Sequence, residues 1–158
     1  MSVNKYRDHL LILPEDDANR QLANGFLLEA DTQNIQVLPE AGGWLSVCEV
    51  FLADHVGAMR KYDRRYVILL LDFDDDPQRA NKVNEQIPED LRDRVFVLGA
   101  STEPESLKRA GLGSYETIGR NLATECRSGN QVVWENELLR QNAKELDRMR
   151  NTVCEFIF

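Results

Sequence analysis

Short apolar runs alternate with longer amphipathic stretches along this chain, at intervals that suit strands separated by helices. The strongest run is Val67-Ile68-Leu69-Leu70-Leu71, the continuous pattern of a strand buried on both faces of a parallel sheet. It ends in acid, with Asp72, Asp74, Asp75 and Asp76 before Pro77. Proline suits the first turn of a helix, and Asp76 before it suits the N-cap. A shorter version comes earlier, where His9-Leu10-Leu11-Ile12-Leu13 is followed by Pro14-Glu15-Asp16-Asp17 and a helical stretch. The segments 35–39 and 95–98 read as two more strands.

Helical periodicity fills the intervals. Ala18, Leu22, Phe26 and Ala30 predict a helix over 17–29, slightly weakened by Gly25, and Trp44, Val47, Val50, Phe51 and Leu52 predict one over 44–60. The stretch 77–86 is polar apart from Ala80 and Val83, with Ile87 after it, so an edge-packed or largely exposed helix is expected there. Thr102 and Glu105 have capping-box spacing, and Gly111 is placed to stop the helix they open. Ile118 and Leu122 mark a helix over 114–126 that Gly129 ends, and Leu138, Leu139, Leu146 and Met149 predict a longer one over 132–150. The apolar tail 153–158 fits either an edge strand or a helix end.

The order β-α-β-α-β-α-β-α predicts one α/β domain over 1–158, with a helical extension from about 114. The expected architecture is a three-layer sandwich around a mostly parallel four- or five-stranded sheet, Rossmann-like. Right-handed crossovers bring the strand-to-helix loops to one rim: residues 15–17, 41–43, 72–76 and 99–103. In such sheets ligands bind beyond the carboxyl ends of the strands.

Composition narrows the partners. The formal net charge is −8, which argues against tight free-standing binding to nucleic acid. It leaves room for a metal-dependent nuclease, whose nucleic-acid substrate would need a local basic patch or a partner subunit. Arg60, Lys61, Arg64 and Arg65 are the densest basic cluster, but they enter the central strand from its amino end, opposite the acids. Lys108 and Arg109 follow the acidic rim more closely. No apolar run is long enough for a membrane span, and residues 1–5 show no signal peptide. The three scattered cysteines, Cys48, Cys126 and Cys154, lack metal-site spacing, so reduced thiols and a cytoplasmic location are expected, with Cys48 and Cys154 as small buried residues. His9 reads as structural, His55 as surface, Trp44 as a core anchor, and Trp134 as core or interface.

Two carboxylates about 4 Å apart repel by roughly 1 kcal/mol in water and about 4 kcal/mol at an effective dielectric of 20. Two acidic loops side by side therefore call for a cation, a proton, or splaying into solvent. Asp16, Asp17 and Asp76 are explained as caps and partners of helix dipoles, and Asp75 as a solvated charge. Glu15, Asp72 and Asp74 remain as candidate catalytic and metal-binding residues, with the alternation of Asp72 and Asp74 turning both toward one ion. Mg²⁺, or Mn²⁺ in its place, suits such oxygen donors.

These residues resemble the Toprim family, the catalytic domain of topoisomerases, primases and overcoming-lysogeny-defect-type nucleases. The match consists of Glu15 just after the first strand and Asp72-Phe73-Asp74 after a later buried strand. Gly42-Gly43 looks like the family's glycine turn, and Glu103 or Glu105 could correspond to a further acid. Asp16 stands where the family often has glycine. The resemblance implies Mg²⁺-dependent phosphodiester chemistry, with the Asp-x-Asp pair holding the ion and Glu15 as general base, general acid or ligand to a second ion. A phospho-receiver domain is the alternative resemblance, carried by Glu15-Asp16-Asp17, by Asp72 as phosphoacceptor and by Ser101. It lacks a good equivalent of the receiver lysine. A third reading is an inactive interaction module on the same fold, with the helices over 44–60 and 132–150 and the apolar tail as interface; an exposed 153–158 strand would invite pairing with another chain, as in a homodimer.

Overall fold

The structure is a computed structural model describing residues 3–158. Four parallel strands, β1 (His9–Pro14), β2 (Ile35–Val37), β3 (Arg65–Leu70) and β4 (Val95–Leu98), form one sheet in the order β2-β1-β3-β4. The apolar runs alternate across it. Leu10, Ile12, Ile68, Phe96 and Leu98 enter the core on one face, while Leu11, Leu13, Val67, Leu69, Val95 and Val97 enter the core on the other. With helices on both faces, the fold is an α/β three-layer, Rossmann-like sandwich. β2 lies to one side of β1, and β3 and β4 to the other, so the strand order reverses between β1 and β3.

On the first face α1 (Asp17–Leu27) crosses α6 (Tyr115–Ser128) at very short range. A Cβ at Gly25 would lie 2.3 Å from the Glu116 carbonyl oxygen, and one at Gly119 would lie 2.1 Å from that of Leu22. The glycine that weakens α1 in isolation is thus what lets the two helices approach. The other face carries α2 (Trp44–Val50), one wide π turn (Phe51–His55), α3 (Val56–Lys61) and α4 (Arg79–Gln86). The predicted helix over 44–60 is therefore continuous but interrupted by that π turn. Helix α4 is shorter than predicted and largely exposed, as expected, with Val83 its one buried residue and Ile87 buried just after it.

Two more expectations need correction. The capping box does not form at α5 (Pro104–Arg109): Glu103 is the N-cap without a side-chain bond, and Thr102 Oγ1 instead donates to Ser106 Oγ. The long helix over 132–150 shrinks to α7 (Ala143–Arg150), preceded by turns and a short 3₁₀ segment at Arg140–Asn142. Side chains capture the backbone that a helix would need. The Glu125 carboxylate accepts from the Val133 and Trp134 amides, and Asn136 Oδ1 accepts from Leu138 N.

That displaced segment covers the outer edge of β4. Glu145 Oε2 accepts from Val97 N at 2.8 Å, Asn142 pairs with both N–H and C=O of Gly99, and Arg148 donates to the Val95 carbonyl. Side chains of α7 thereby take the place of a fifth strand, which removes the usual exposure of an edge. The tail is helical, as α8 (Cys154–Ile157), and docks with Val153 and Ile157 fully buried. Cys126 and Cys154 are joined as a disulfide across α6 and α8, contrary to the expectation of free thiols, whereas Cys48 is free and buried. No helix among the described residues is long and apolar enough to cross a membrane.

The α1–α6 crossing gives a test. Gly119→Ala should favour helix by about 1 kcal/mol through intrinsic propensity, yet overpacking at a backbone contact costs about 1–3 kcal/mol. We expect a net loss of stability by urea titration; a gain would show that the helices separate freely.

Candidate functional site

The β1–β3 register places Pro14 opposite Leu70. The ladder then runs one step further, with Glu15 N donating to the Leu70 carbonyl at 2.8 Å. The Glu15 carbonyl is held from the other side by the amides of Gly42 and Gly43, at 2.8 and 3.3 Å. Both glycines have positive φ, 98° and 147°, in the region that an L side chain rarely adopts. Glu15 is thus clamped at the point where the strand order reverses.

Asp72 meets it there. Glu15 Oε2 accepts from the Asp72 backbone amide at 2.5 Å, and both residues are 8% exposed. The structure brings Glu15 and Asp72 together, as the sequence predicts. Asp74 does not join them. Its backbone turns left-handed, with φ 46° followed by 58° at Asp75, while its amide donates to the Thr102 carbonyl. The Asp74 carboxylate then faces Arg79, which donates to Oδ2 at 2.6 Å and to the Asp72 carbonyl at 3.0 Å. The expectation that Asp72 and Asp74 turn back together fails because the loop zips onto residues 100–102 rather than staying extended. Asp16 caps α1 by accepting from Asn19 N, Asp17 bonds Arg20 and Gln21, Asp75 is exposed, and Asp76 accepts from Gln78 N and pairs with Lys82. Glu103 is occupied by Arg109 at 3.1 Å.

Two residues that sequence reasoning passed over complete the cluster. Asn19, fully buried, donates from Nδ2 to Asp16 Oδ1 at 3.0 Å and to Asp72 Oδ1 at 2.8 Å. Its Oδ1 has no partner among the described residues, and the residue lines an apolar cavity of about 60 Å³ with Ile12, Leu22 and Trp134. The sequence signal was a polar residue one turn before Leu22, on the apolar stripe of α1. Arg79 sits in the first turn of α4, where a cation opposes the helix dipole, and that placement is its signal. Its guanidinium also stacks on Trp44 at 4.7 Å, so Trp44 is a platform as well as a core contact.

The electrostatics follow from burial. Desolvation raises the proton affinity of Glu15, opposed by the Asp72 amide and reinforced by the charges of Asp16 and Asp74. Asp72 rises from an ordinary 3.8 to about 7, again chiefly by desolvation, with the Asn19 bond opposing and Asp16, Glu15 and Asp74 adding repulsion. Burial thus favours the protonated form of both acids, one of the outcomes open to crowded acids. In donor type the cluster fits a hard cation, since Glu15 and Asp72 each have one oxygen left unbonded among the described residues. In arrangement it offers two carboxyls rather than three: no group of three His, Cys, Asp or Glu side chains is gathered for a metal among the described residues.

The raised Asp72 value sets a pH dependence. The unfolded chain releases this proton near 3.8 and the folded chain near 7, so the contribution of Asp72 to stability falls as pH rises through that window. The slope is at most about 1.4 kcal/mol per pH unit, and it levels off above the window. Asp72→Asn keeps an acceptor for Asn19 without the charge. Urea titrations should show it gaining more stability over wild type at about pH 8 than at about pH 5; equal differences would mean that Asp72 titrates ordinarily.

No known protein family, curated protein or solved structure matches the chain.

Proposed function

We propose that Glu15 and Asp72 form the acid–base centre of an Mg²⁺- or Mn²⁺-dependent phosphodiester-cleaving or nucleotidyl-transfer site. The observation that carries this reading is the direct bond between the Glu15 carboxylate and the Asp72 amide at the reversal of strand order, between two buried carboxyls whose proton affinities burial raises. Proton transfer is most effective from a group whose affinity lies near the working pH, and Asp72 at about 7 meets that condition. Protonated Asp72 is suited to give a proton to a leaving oxygen, and ionised Glu15 to take one from an attacking hydroxyl or water. Asn19 holds the Asp72 carboxyl in place through its 2.8 Å bond. Glu15 would hold the ion, and so would Asp72 once it has given up its proton, since metal ligands are deprotonated; Asp74 would join them if its carboxylate leaves Arg79. A bound divalent ion supplies Lewis acidity and neutralises negative charge on the substrate.

The phospho-receiver alternative draws less support. The receiver's lysine has no good equivalent here, and the side chain that bonds Asp72 Oδ1 is Asn19. The interaction-module reading drew on the helices over 44–60 and 132–150 and on the tail, and of these the tail is a docked helix rather than an exposed strand.

Calorimetric titration of Mg²⁺ and Mn²⁺ tests the proposal on wild type, Glu15→Ala, Asp72→Ala and Asp74→Ala. We expect wild type to bind, binding to vanish with Glu15→Ala or Asp72→Ala, and Asp74→Ala to weaken it. Absence of binding at millimolar metal, or binding indifferent to Glu15 and Asp72, overturns the reading.

A further inference from the structure

The amino ends of β1 and β3 carry a second cluster, of opposite charge, that the carboxylate site does not use. Around the ring of Tyr62 stand Lys5 Nζ at 5.0 Å, Lys61 Nζ at 5.4 Å and the Arg65 guanidinium at 5.2 Å. Tyr6 meets Tyr62 edge-on, with centroids 6.1 Å apart and 80° between planes, and remains 74% exposed. Arg7 and Arg64 flank the pair and are exposed, as are the only acids of the same two segments, Asp8 and Asp63. The hydrogen bond from Lys5, with the charges of Lys5 and Lys61, holds the Tyr62 phenol below its ordinary range.

The cluster is built rather than incidental. Arg94 donates to the carbonyls of Met59, Tyr62 and Arg65 at 2.9–3.2 Å, which fixes the turn that presents Tyr62. Arg65 donates to Nε2 of fully buried His9 at 2.9 Å, and His9 Nδ1 bonds the Arg7 carbonyl at 2.7 Å, which fixes the segment that presents Tyr6. Three cations are therefore gathered on one ring in a protein whose net charge is −8. Their mutual repulsion is offset by the ring faces, and an added anion would relieve it further.

We infer that this rim is a binding surface for single-stranded nucleic acid, with a base stacking on Tyr6 beside Tyr62 and the flanking phosphates meeting Lys5, Arg7, Lys61 and Arg64. Exposed rings interleaved with cations suit a strand whose base faces are free; a duplex keeps those faces stacked. An anionic bilayer would favour a larger apolar body than two tyrosines, one of them bonded through its hydroxyl. An acidic peptide would use the cations and leave Tyr6 uncovered. The inference goes beyond the carboxylate reading and does not rest on it, because the two rims lie at opposite ends of β1, roughly 20 Å apart at the usual rise per residue.

Fluorescence anisotropy with labelled oligothymidylate tests it at low salt, against a duplex of equal length, anionic phosphatidylserine vesicles and polyglutamate. We expect the single strand to bind more tightly than the duplex and the affinity to fall steeply with salt. Tyr6→Ala should weaken binding by about fivefold or more, and Lys5→Glu with Lys61→Glu should abolish it. Circular dichroism checks that both variants fold. The anisotropy is read without added divalent metal, so a failed metal titration leaves this result standing, and the reverse holds too. Absence of oligonucleotide binding, binding indifferent to Tyr6 and Lys61, or dependence of vesicle or polyglutamate binding alone on the rim overturns the inference.

Discussion

The in-register pairing of β1 with β3 is the constraint on which the site depends. Once Pro14 lies opposite Leu70, Glu15, one residue on, and Asp72, two residues on, leave the sheet at the same place. Both carboxyls are largely buried, where the Gly42-Gly43 turn holds the Glu15 backbone and residues 100–102 hold the loop after Asp72. What remains is to neutralise charge within the cluster. A backbone amide serves Glu15, an asparagine serves Asp72, an arginine serves Asp74, and a retained proton makes up the difference. Ordinary ion pairing would have stabilised this rim more cheaply. A buried pair of raised proton affinity is what the proposed acid–base role would use.

The chain beyond β4 keeps that arrangement rigid. A sheet of four strands would leave β4 as a bare edge beside the loop that carries Asp74, which packs against residues 100–102. Glu145, Asn142 and Arg148 reach from one short helical segment to alternate residues of that edge, matching its spacing with side chains rather than backbone. The same segment places Trp134, Leu139 and Met149 against the cavity behind Asn19. The polypeptide after α6 thus supports the site from two directions without contributing a carboxylate to it.

The four strands and their parallel order were legible because each is a nearly unbroken apolar run ending in turn residues. The meeting of Glu15 with Asp72 was legible for the same reason, since crossover handedness sends both loops to one rim. Asp74 was not. Its direction depends on left-handed backbone at Asp74 and Asp75, which aspartate tolerates but does not announce. The helix over 132–150 was overread because Leu138, Leu139, Leu146 and Met149 do face the core. What breaks the helix is Glu125, which precedes the stretch and reaches back to the amides of Val133 and Trp134. The disulfide was missed for a related reason: Cys126 and Cys154 meet only because that stretch folds back on α6.

Placement of charge at the two ends of the sheet ties these features together. Parallel strands point every carboxyl end one way, so one rim collects the loops carrying Glu15, Asp72 and Asp74, and the other collects the strand entries carrying Lys5, Lys61 and Arg65. An antiparallel sheet would have mixed them. At the basic rim Lys5 and Lys61 lie over tyrosine rings and keep their charge at the surface, while Arg65 is half-buried against His9. The short acidic ones sit in the crevice, where burial shifts their proton affinity instead. The difference in side-chain length therefore becomes a difference in kind: the basic rim is suited to attract, and the acidic rim to exchange protons.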